Sequence, residues 1–517
     1  MTTKQPNILL VMFDQMSAQS LPCYGHAMVK APHLQGLAER GVLFENAYCN
    51  SPLCSPSRFA MMTGRLASRI GAYDNAAELN AGVPTFAHHL RALGYRTCLS
   101  GKMDFTGADQ LHGYEERLTT DLSPSDFGWT PEWEEPEKLQ PWFHDLASVA
   151  DAGPYDHSLA MAYDEEAAGR AVRWLYEAAG AADERPWLLT VSFMHPHDPY
   201  LARREFWDLY EDAPIDLPQV PYIAPAARDP HSRRLWAMYD RDEYDITEER
   251  IRQARRGYYG MISYIDAQLG RILGALEALG QRDDTAIIAT ADHGDMQGER
   301  GLWYKMTFFE RAVRVPLILC APQRFAPRRV ARGVSLVDLL PTLVSIAGGE
   351  RGATAAPTDG VDLTPLAAGA GGGPETVYGE YMAEGTSQPM FMIRRGRHKF
   401  IACAGDPPQL FDLMADPLEL TNLAERPEHA ALATSFAEEV ARKWDGDAIR
   451  RQVMDSQRRR LLIHEALLQG RLQPWDYQPA LDASRQYYRN LTAAPMLSDR
   501  AWRVPSRPLP PREAKSE

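Results

Sequence analysis

An α/β fold built on a doubly wound, mostly parallel sheet flanked by helices is predicted by three features of the sequence. Strand-length apolar runs alternate with segments of helical periodicity. Three of the runs, Ile8–Phe13, Trp187–Met194 and Ala286–Thr290, give way to polar residues. Those residues are Asp14, His195-Pro196-His197 and Asp292-His293, and an open parallel sheet gathers ligands at the carboxyl ends of its strands. Three separate runs therefore deliver Asp and His side chains to one edge.

The other elements follow in chain order. Residue 54 lies after a loop and before the apolar-rich segment Phe59–Thr63, and Pro56 suits the first turn of a helix. Amphipathic helices are predicted over Asp164–Ala179 and Glu248–Leu279, the second with Thr247 as its cap and Glu248-Glu249 in its acidic first turn. A shorter helix is predicted over Leu339–Ala347, capped by Asp338, with Pro341 in its first turn and Gly348-Gly349 at its end. The Gly-rich stretch Ala367–Pro374 marks the boundary of a second unit. Beyond it, Thr376–Met382, Met390–Arg394 and Lys399–Cys403 read as short strands, the last two turning at Gly396, which predicts a small antiparallel sheet packed with a helix.

Near Asp445 the chain changes character, with a basic helix around Gln457–Leu468 and then aromatic, Pro-punctuated residues including Trp475, Tyr477, Tyr487 and Tyr488. Arg458-Arg459-Arg460 reads as a solvated helix face or as inter-subunit salt bridges rather than a nucleic-acid site. The aromatic tail calls for a partner to bury it, such as a neighbouring subunit. The organisation expected is a catalytic α/β domain over 1–373, a small antiparallel-sheet subdomain over 374–444 and an oligomerisation tail over 445–517.

Length and charge limit the function. At 517 residues the chain exceeds one simple core. Its 55 Lys+Arg against 69 Asp+Glu give a net charge of −14, which disfavours binding to nucleic acid or an anionic membrane face. Met1 to Pro6 shows no basic region leading into a long apolar run, and Ile8–Phe13 is only strand length, so a soluble, cytoplasmic protein is expected. The six cysteines have no C-x-x-C spacing, and five read as structural thiols, Cys320 within Val315–Cys320 most clearly.

The sixth is Cys54. Cys54-Ser55-Pro56-Ser57-Arg58 carries C-x-P-x-R, the pattern an oxidising enzyme reads to convert cysteine to formylglycine. A cysteine is a poor hydrolytic nucleophile toward a sulfate ester, whereas a hydrated aldehyde offers two hydroxyls, one to attack and one to expel the product. A helix beginning there aims backbone N–H groups at an anion, and Arg58 adds a fixed positive charge that favours the deprotonated diol and holds sulfate oxygens. Asp14, Asp292 and His293 read as ligands for a divalent cation beside residue 54. The carboxylates suit calcium or magnesium and the imidazole leans toward manganese, so the metal stays open. His195-Pro196-His197-Asp198-Pro199 supplies acid/base candidates on a non-helical segment, with His197 expected toward the substrate and His195 toward the core. Lys305 is placed to neutralise charge on a leaving oxygen, and Lys102 is a further candidate; each reads equally as a surface lysine when taken alone.

These residues resemble the formylglycine-dependent sulfatases of the alkaline-phosphatase superfamily. The resemblance rests on C-S-P-S-R at Cys54–Arg58, N-I-L-L-V-M-F-D-Q at Asn7–Gln15, D-H-G-D at Asp292–Asp295 and L-F-D-L-M-A-D-P-L-E-L-T-N-L at Leu410–Leu423, and it spans almost the whole chain. Within the family the chain is similar to the choline-sulfatase group, through D-N-A-A-E at Asp74–Glu78, D-Q-L-H-G-Y-E-E-R-L-T-T-D at Asp109–Asp121, D-F-G-W-T-P at Asp126–Pro131, S-F-M-H-P-H-D-P-Y at Ser192–Tyr200 and P-W-D-Y-Q-P at Pro474–Pro479.

The resemblance implies hydrolysis of a sulfate ester, of choline or a related small alkyl alcohol, to the alcohol and inorganic sulfate. It implies a metal site of Asp14, Asp292, His293 and formylglycine at position 54, with Arg58, Asn75, Lys102, His197 and Lys305 around the sulfate. It implies Trp129 beside the alcohol portion, where a cation–π contact to a quaternary ammonium is worth about 0.5–2 kcal/mol. A formylglycine-generating enzyme during maturation and a homotetramer joined through the tail are implied as well. The chain departs from the group at one point: where the group has G-K-M-H, it has Gly101-Lys102-Met103-Asp104. Either Asp104 turns away to pair with Lys102 or the pocket has adapted to another substrate. The rival readings are a phosphodiester or phosphonate monoester hydrolase on the same parts, and a non-catalytic binding protein in which Cys54 stays unmodified.

Overall fold

The structure is a computed structural model and describes residues 5–123, 125–136, 138–239, 243–350, 353–371, 375–471 and 475–480. Its strands in chain order are β1 Asn7–Phe13, β2 Val42–Tyr48, β3 Arg96–Gly101, β4 Glu116–Arg117, β5 Gly153–Tyr155, β6 Trp187–Phe193, β7 Leu201–Arg203, β8 Thr285–Ala291, β9 Arg314–Val315, β10 Leu317–Cys320, β11 Arg328–Ser335, β12 Thr376–Tyr381, β13 Met390–Arg395, β14 His398–Cys403 and β15 Gln409–Asp412. The large sheet runs β11-β2-β10-β8-β1-β6-β3-β4, with β9 beside β2. It is mostly parallel; β10 runs against both β2 and β8, and β9 runs against β2.

β1 is central because Ile8 to Phe13 are all apolar and buried on both faces, the pattern of a strand covered by helices on each side. β6 and β8 flank it in parallel, and Phe13 pairs with Phe193 on one side and Ala291 on the other. The three strands therefore end at one level. Asp14, the His195–Pro199 segment and Asp292-His293 emerge side by side from that edge, so the alternation of runs and helices predicted the sheet and the shared register placed its products together. β3 lies next to β6 with Gly101 opposite Ser192. Gly101 has φ +110°, and a Cβ there would lie 1.8 Å from the Ser192 carbonyl oxygen, so only glycine lets the chain turn there into Lys102.

The helix Leu159–Gly180 begins five residues before its expected start, because Ser158 caps it by accepting from Met161 N–H. The helix Glu248–Ala278 starts as expected, with the Thr247 side chain accepting from Arg250 N–H, and packs on the first. Asp338 does not cap the helix Leu339–Ile346. Its carboxylate instead accepts from Ser335 N–H at 2.7 Å and Val361 N–H at 2.8 Å, closing a capping box around the 3-10 turn Leu336–Asp338.

The small antiparallel sheet is β12-β13-β14-β15, turning between β13 and β14 at Gly396. Its fourth strand, β15, was not predicted; it lies at the start of the L-F-D-L-M string. The helix Gly446–Leu468 is longer than the expected basic helix, because Asp445 caps it eleven residues earlier by accepting from Ala448 N–H. Trp475 and Tyr477 find partners within their own chain. The Trp475 ring stands 5.1 Å from that of Phe127, and the Arg117 guanidinium lies 5.4 Å from the Tyr477 ring. Tyr487 and Tyr488 lie outside the described residues, as does the end of the Gly-rich boundary. Among the described residues no helix is long and apolar enough to cross a membrane.

Candidate functional site

Residue 54 opens the helix Cys54–Thr63, every residue of which is buried. The Cys54 thiol faces the ends of β1 and β8, with Sγ 3.9 Å from Asp14 Oδ1 and 3.2 Å from His293 Nε2. One ligand atom from each of Asp14, Cys54, Asp292 and His293 lies within 4.8 Å of all the others. His293 Nδ1 donates to the Gly294 carbonyl oxygen at 3.0 Å, which fixes the tautomer that turns the Nε2 lone pair into the cluster. Burial pushes this imidazole down to about 4, so it is neutral and able to bind a cation. With an oxygen in place of sulfur at position 54, two carboxylates and a neutral imidazole would complete a donor set that fits a divalent cation of the calcium, magnesium or manganese type. The sulfur of an unmodified Cys54 does not fit it. Burial, reinforced by the Asp14 charge, pushes that thiol up to about 12, which disfavours the thiolate that a nucleophile needs at neutral pH.

Arg58 departs from the expectation that it holds sulfate. It is fully buried. Its Nε and Nη2 donate to Asp292 Oδ2 and Asp14 Oδ2 at 2.9 and 3.0 Å, and its Nη1 donates to the Lys102 carbonyl at 2.6 Å and Ser192 Oγ at 2.9 Å. A guanidinium so engaged neutralises and aims the two carboxylates instead of meeting a substrate. Nor does the helix start present a fan of free donors. Asn75 Oδ1 takes Ser55 N–H at 3.0 Å, Pro56 has no N–H, and Ser57 N–H reaches back to Leu53 O. Asn75 is thus joined to the helix Cys54–Thr63.

Lys102 Nζ donates to Asp14 Oδ2 at 2.5 Å and lies 3.5 Å from Asp104 Oδ2, which is also 3.4 Å from Arg58 Nε. Asp104 therefore pairs with both cations, held by a backbone at φ +59°. Burial pushes its carboxyl up to about 6 against the pull of Lys102 and Arg58, while Asp14, which burial alone would raise, is held well below the usual carboxylate range by Lys102, His197 and Arg58.

His195 and His197 point apart. His195 Nδ1 contacts Asp164 Oδ2 at 2.6 Å, inside the fold. His197 Nδ1 donates to the Asp198 carbonyl at 2.6 Å, so its bare Nε2 accepts from Lys305 Nζ at 2.7 Å. Both X-Pro bonds of this segment are cis. Burial and the Lys305 charge push His197 down to about 3, whereas nearby negative groups, Asp198 and Asp14 among them, keep Lys305 protonated despite its burial.

Sequence reasoning missed several members of this network. Gln15, directly after Asp14, accepts from Lys305 Nζ at 2.7 Å through Oε1 and donates through Nε2 to Asp198 Oδ1 at 3.1 Å and Asp295 Oδ2 at 2.8 Å. Its position at the end of β1 was the only signal. Glu384 is buried, has no ion-pair partner among the described residues, and is pushed up to about 7 by burial, within electrostatic reach of Asp74 and Lys305. Nothing local in the sequence announces it. Trp129, half-buried in the 3-10 turn Phe127–Trp129, has no hydrogen bond, ion pair or ring contact with the cluster among the described residues.

A parallel-sheet edge carrying a buried Asp-Asp-His cluster that could hold a cation, beside the residue that opens a buried helix, is an arrangement suited to a metal-assisted hydrolase. The comparisons with known proteins agree. The family model described as "Sulfatase" matches residues 6–349, and the model described as "Choline sulfatase enzyme C terminal" matches 451–501. The chain is 48% identical over 95% of its length to choline-sulfatase of Rhizobium meliloti (strain 1021), covering 97% of that protein, and 30% identical over 81% of its length to arylsulfatase K of Bos taurus, covering 78% of it. Among solved structures it is similar to the phosphonate monoester hydrolase of Agrobacterium radiobacter, with TM-score 0.69, 27% identity and coverage of 87% of this chain and 96% of that one. The chain belongs to the sulfatase family and is a sulfuric ester hydrolase.

Proposed function

We propose that the enzyme hydrolyses the sulfate ester of a small cationic alcohol of the choline type, with Cys54 matured to formylglycine and a divalent metal held by Asp14, Asp292 and His293. The observation that carries this reading is the convergence of those four residues, with ligand atoms within 4.8 Å of one another, opposite the His197–Lys305 pair. The likeness to choline-sulfatase over 95% of the chain supports the alcohol. Around the site the carboxylates of Asp14, Asp104, Asp198 and Asp292 exceed the cations of Arg58, Lys102 and Lys305 by one, so a bound divalent cation leaves a surplus of one positive charge for an anionic ester. The uncompensated carboxyl of Glu384 and the ring of Trp129 suit a quaternary ammonium.

When bound, the metal supplies Lewis-acid polarisation of the sulfate, and the hydrated aldehyde supplies the nucleophilic hydroxyl. The protein side chains supply the rest. Arg58 and Lys102 hold the carboxylates in place. Lys305 keeps a proton at Nζ, and His197 Nε2 receives or returns it, so the pair protonates the departing alcohol oxygen. Asp198 O sets the His197 tautomer, and Gln15 fixes Lys305.

The same reading takes the metal as calcium, or else manganese or magnesium. It takes the newly made chain as a substrate of a formylglycine-generating enzyme and the matured protein as a homotetramer with the domain limits given above. No disulfide joins any of the six cysteines, which suits a reducing cytoplasm. The test is hydrolysis of choline sulfate by metal-loaded protein, together with the mass of the Cys54 peptide, expected about 18 Da below that of the thiol. Full activity with only unmodified cysteine refutes the reading, and faster turnover of a phosphonate monoester moves the substrate to the phosphonate class.

A further inference from the structure

Arg460, on the helix Gly446–Leu468, reaches 386 residues back along the chain to Asp74 and grips it with two parallel bonds, Nη1 to Oδ1 at 2.5 Å and Nη2 to Oδ2 at 2.6 Å. Both side chains are buried. Asp74 Oδ1 also accepts from Ala76 N–H at 3.0 Å, and its carbonyl accepts from Ala77 N–H at 3.1 Å, so the grip fixes a whole turn. Within that turn Asn75 takes both polar groups of Ser55: Oδ1 accepts its N–H at 3.0 Å and the carbonyl accepts its Oγ–H at 3.3 Å. Ser55 is the residue after the nucleophile position.

Other contacts also dock the helix. Gln457 Oε1 accepts from Trp133 N–H at 3.0 Å, His464 Nδ1 lies 3.1 Å from Asp126 Oδ1, and Ile449 and Val453 are buried in an apolar cluster with Phe391 and Trp444. Ion pairs buried in this way add little net stability over apolar side chains of similar shape, but a planar fork on a carboxylate fixes orientation in two directions. We propose that Arg460 is a positioning residue for catalysis: through Asp74 it sets the Asn75 turn, and through Ser55 it aims residue 54 at the metal cluster. This rests on the reading of residue 54 as the nucleophile.

The experiment uses full-length, metal-loaded enzyme whose formylglycine content is measured by mass, with choline sulfate as substrate. It compares Arg460→Met, Asp74→Asn and the double variant, with Arg458→Met, which breaks an exposed pair to Glu134, as control. Each single variant is expected to lower kcat about 10- to 100-fold with KM little changed, since misplacing a reacting group costs rate more than binding. The double variant is expected to be no worse than the poorer single one, and Arg458→Met to match wild type. Matured Arg460→Met with wild-type kcat, or losses that add in the double variant, overturns the proposal. If Arg460→Met does not fold, Arg460→Lys keeps the charge without the fork, and wild-type kcat in that variant overturns the proposal as well. Failure of the underlying reading looks different: wild type then lacks formylglycine and Cys54→Ala stays active.

Discussion

Lys305 Nζ lies 2.7 Å from His197 Nε2, and the imidazole accepts because its Nδ1 proton is committed to the Asp198 carbonyl. The pair shares one movable proton, which the proposed mechanism delivers to the departing alcohol. Lys305→Ala is expected to lower kcat/KM for an alkyl sulfate by about 10²–10⁴, the usual contribution of a positioned acid. An aryl sulfate, whose leaving oxide needs no proton, is expected to lose far less. Equal losses on the two esters would remove Lys305 from leaving-group protonation.

Asp14→Asn and Asp292→Asn are expected to lose metal and activity together, because each removes a charged ligand oxygen. Each also leaves Arg58 partly uncompensated inside the protein, a destabilisation of about 3–5 kcal/mol. The depressed Asp14 carboxyl contributes stability that is present above the usual carboxylate value of 3.8 and is lost as pH falls below it. Metal analysis and melting curves check both effects, and a metal-replete variant would exclude the residue as a ligand.

Glu384 is pushed up to about 7, so it gains its proton as pH falls through neutrality and loses its attraction for a cation. The KM for choline sulfate is therefore expected to rise below about pH 7, while that for a neutral alkyl sulfate stays level. Glu384→Gln is expected to remove the difference. Because the fold holds this proton more tightly than the unfolded chain, the group contributes stability below its usual value of 4.5 that is gone above about 7, and the variant is expected to gain stability at high pH. A choline sulfate KM with the same pH profile in both proteins would exclude Glu384 from substrate recognition.

Asp104 sits between Lys102 and Arg58, so Asp104→His is expected to disturb Lys102 and lower kcat/KM for choline sulfate and an aryl sulfate in parallel. The ratio of the two values measures this. A ratio that shifts toward choline sulfate would instead make residue 104 a determinant of substrate choice.

The sequence by itself determined the three central strands and the polar residues that follow them. β1, β6 and β8 are apolar runs whose polar ends are local properties, and Cys54–Arg58 is contiguous, so the centre of the sheet, the acidic and imidazole residues at its edge and the C-x-P-x-R pattern were legible in the sequence. Only the tertiary structure decided how charges are shared across the site. Arg58 serves Asp14 and Asp292 instead of the substrate, Gln15 links Lys305 to Asp198, and Arg460 grips Asp74. Each of these partners comes from a distant part of the chain, and the pairing depends on which side chains the strand register and the docked helix bring within about 3 Å in a buried, low-dielectric interior. Side-chain periodicity carries no record of that.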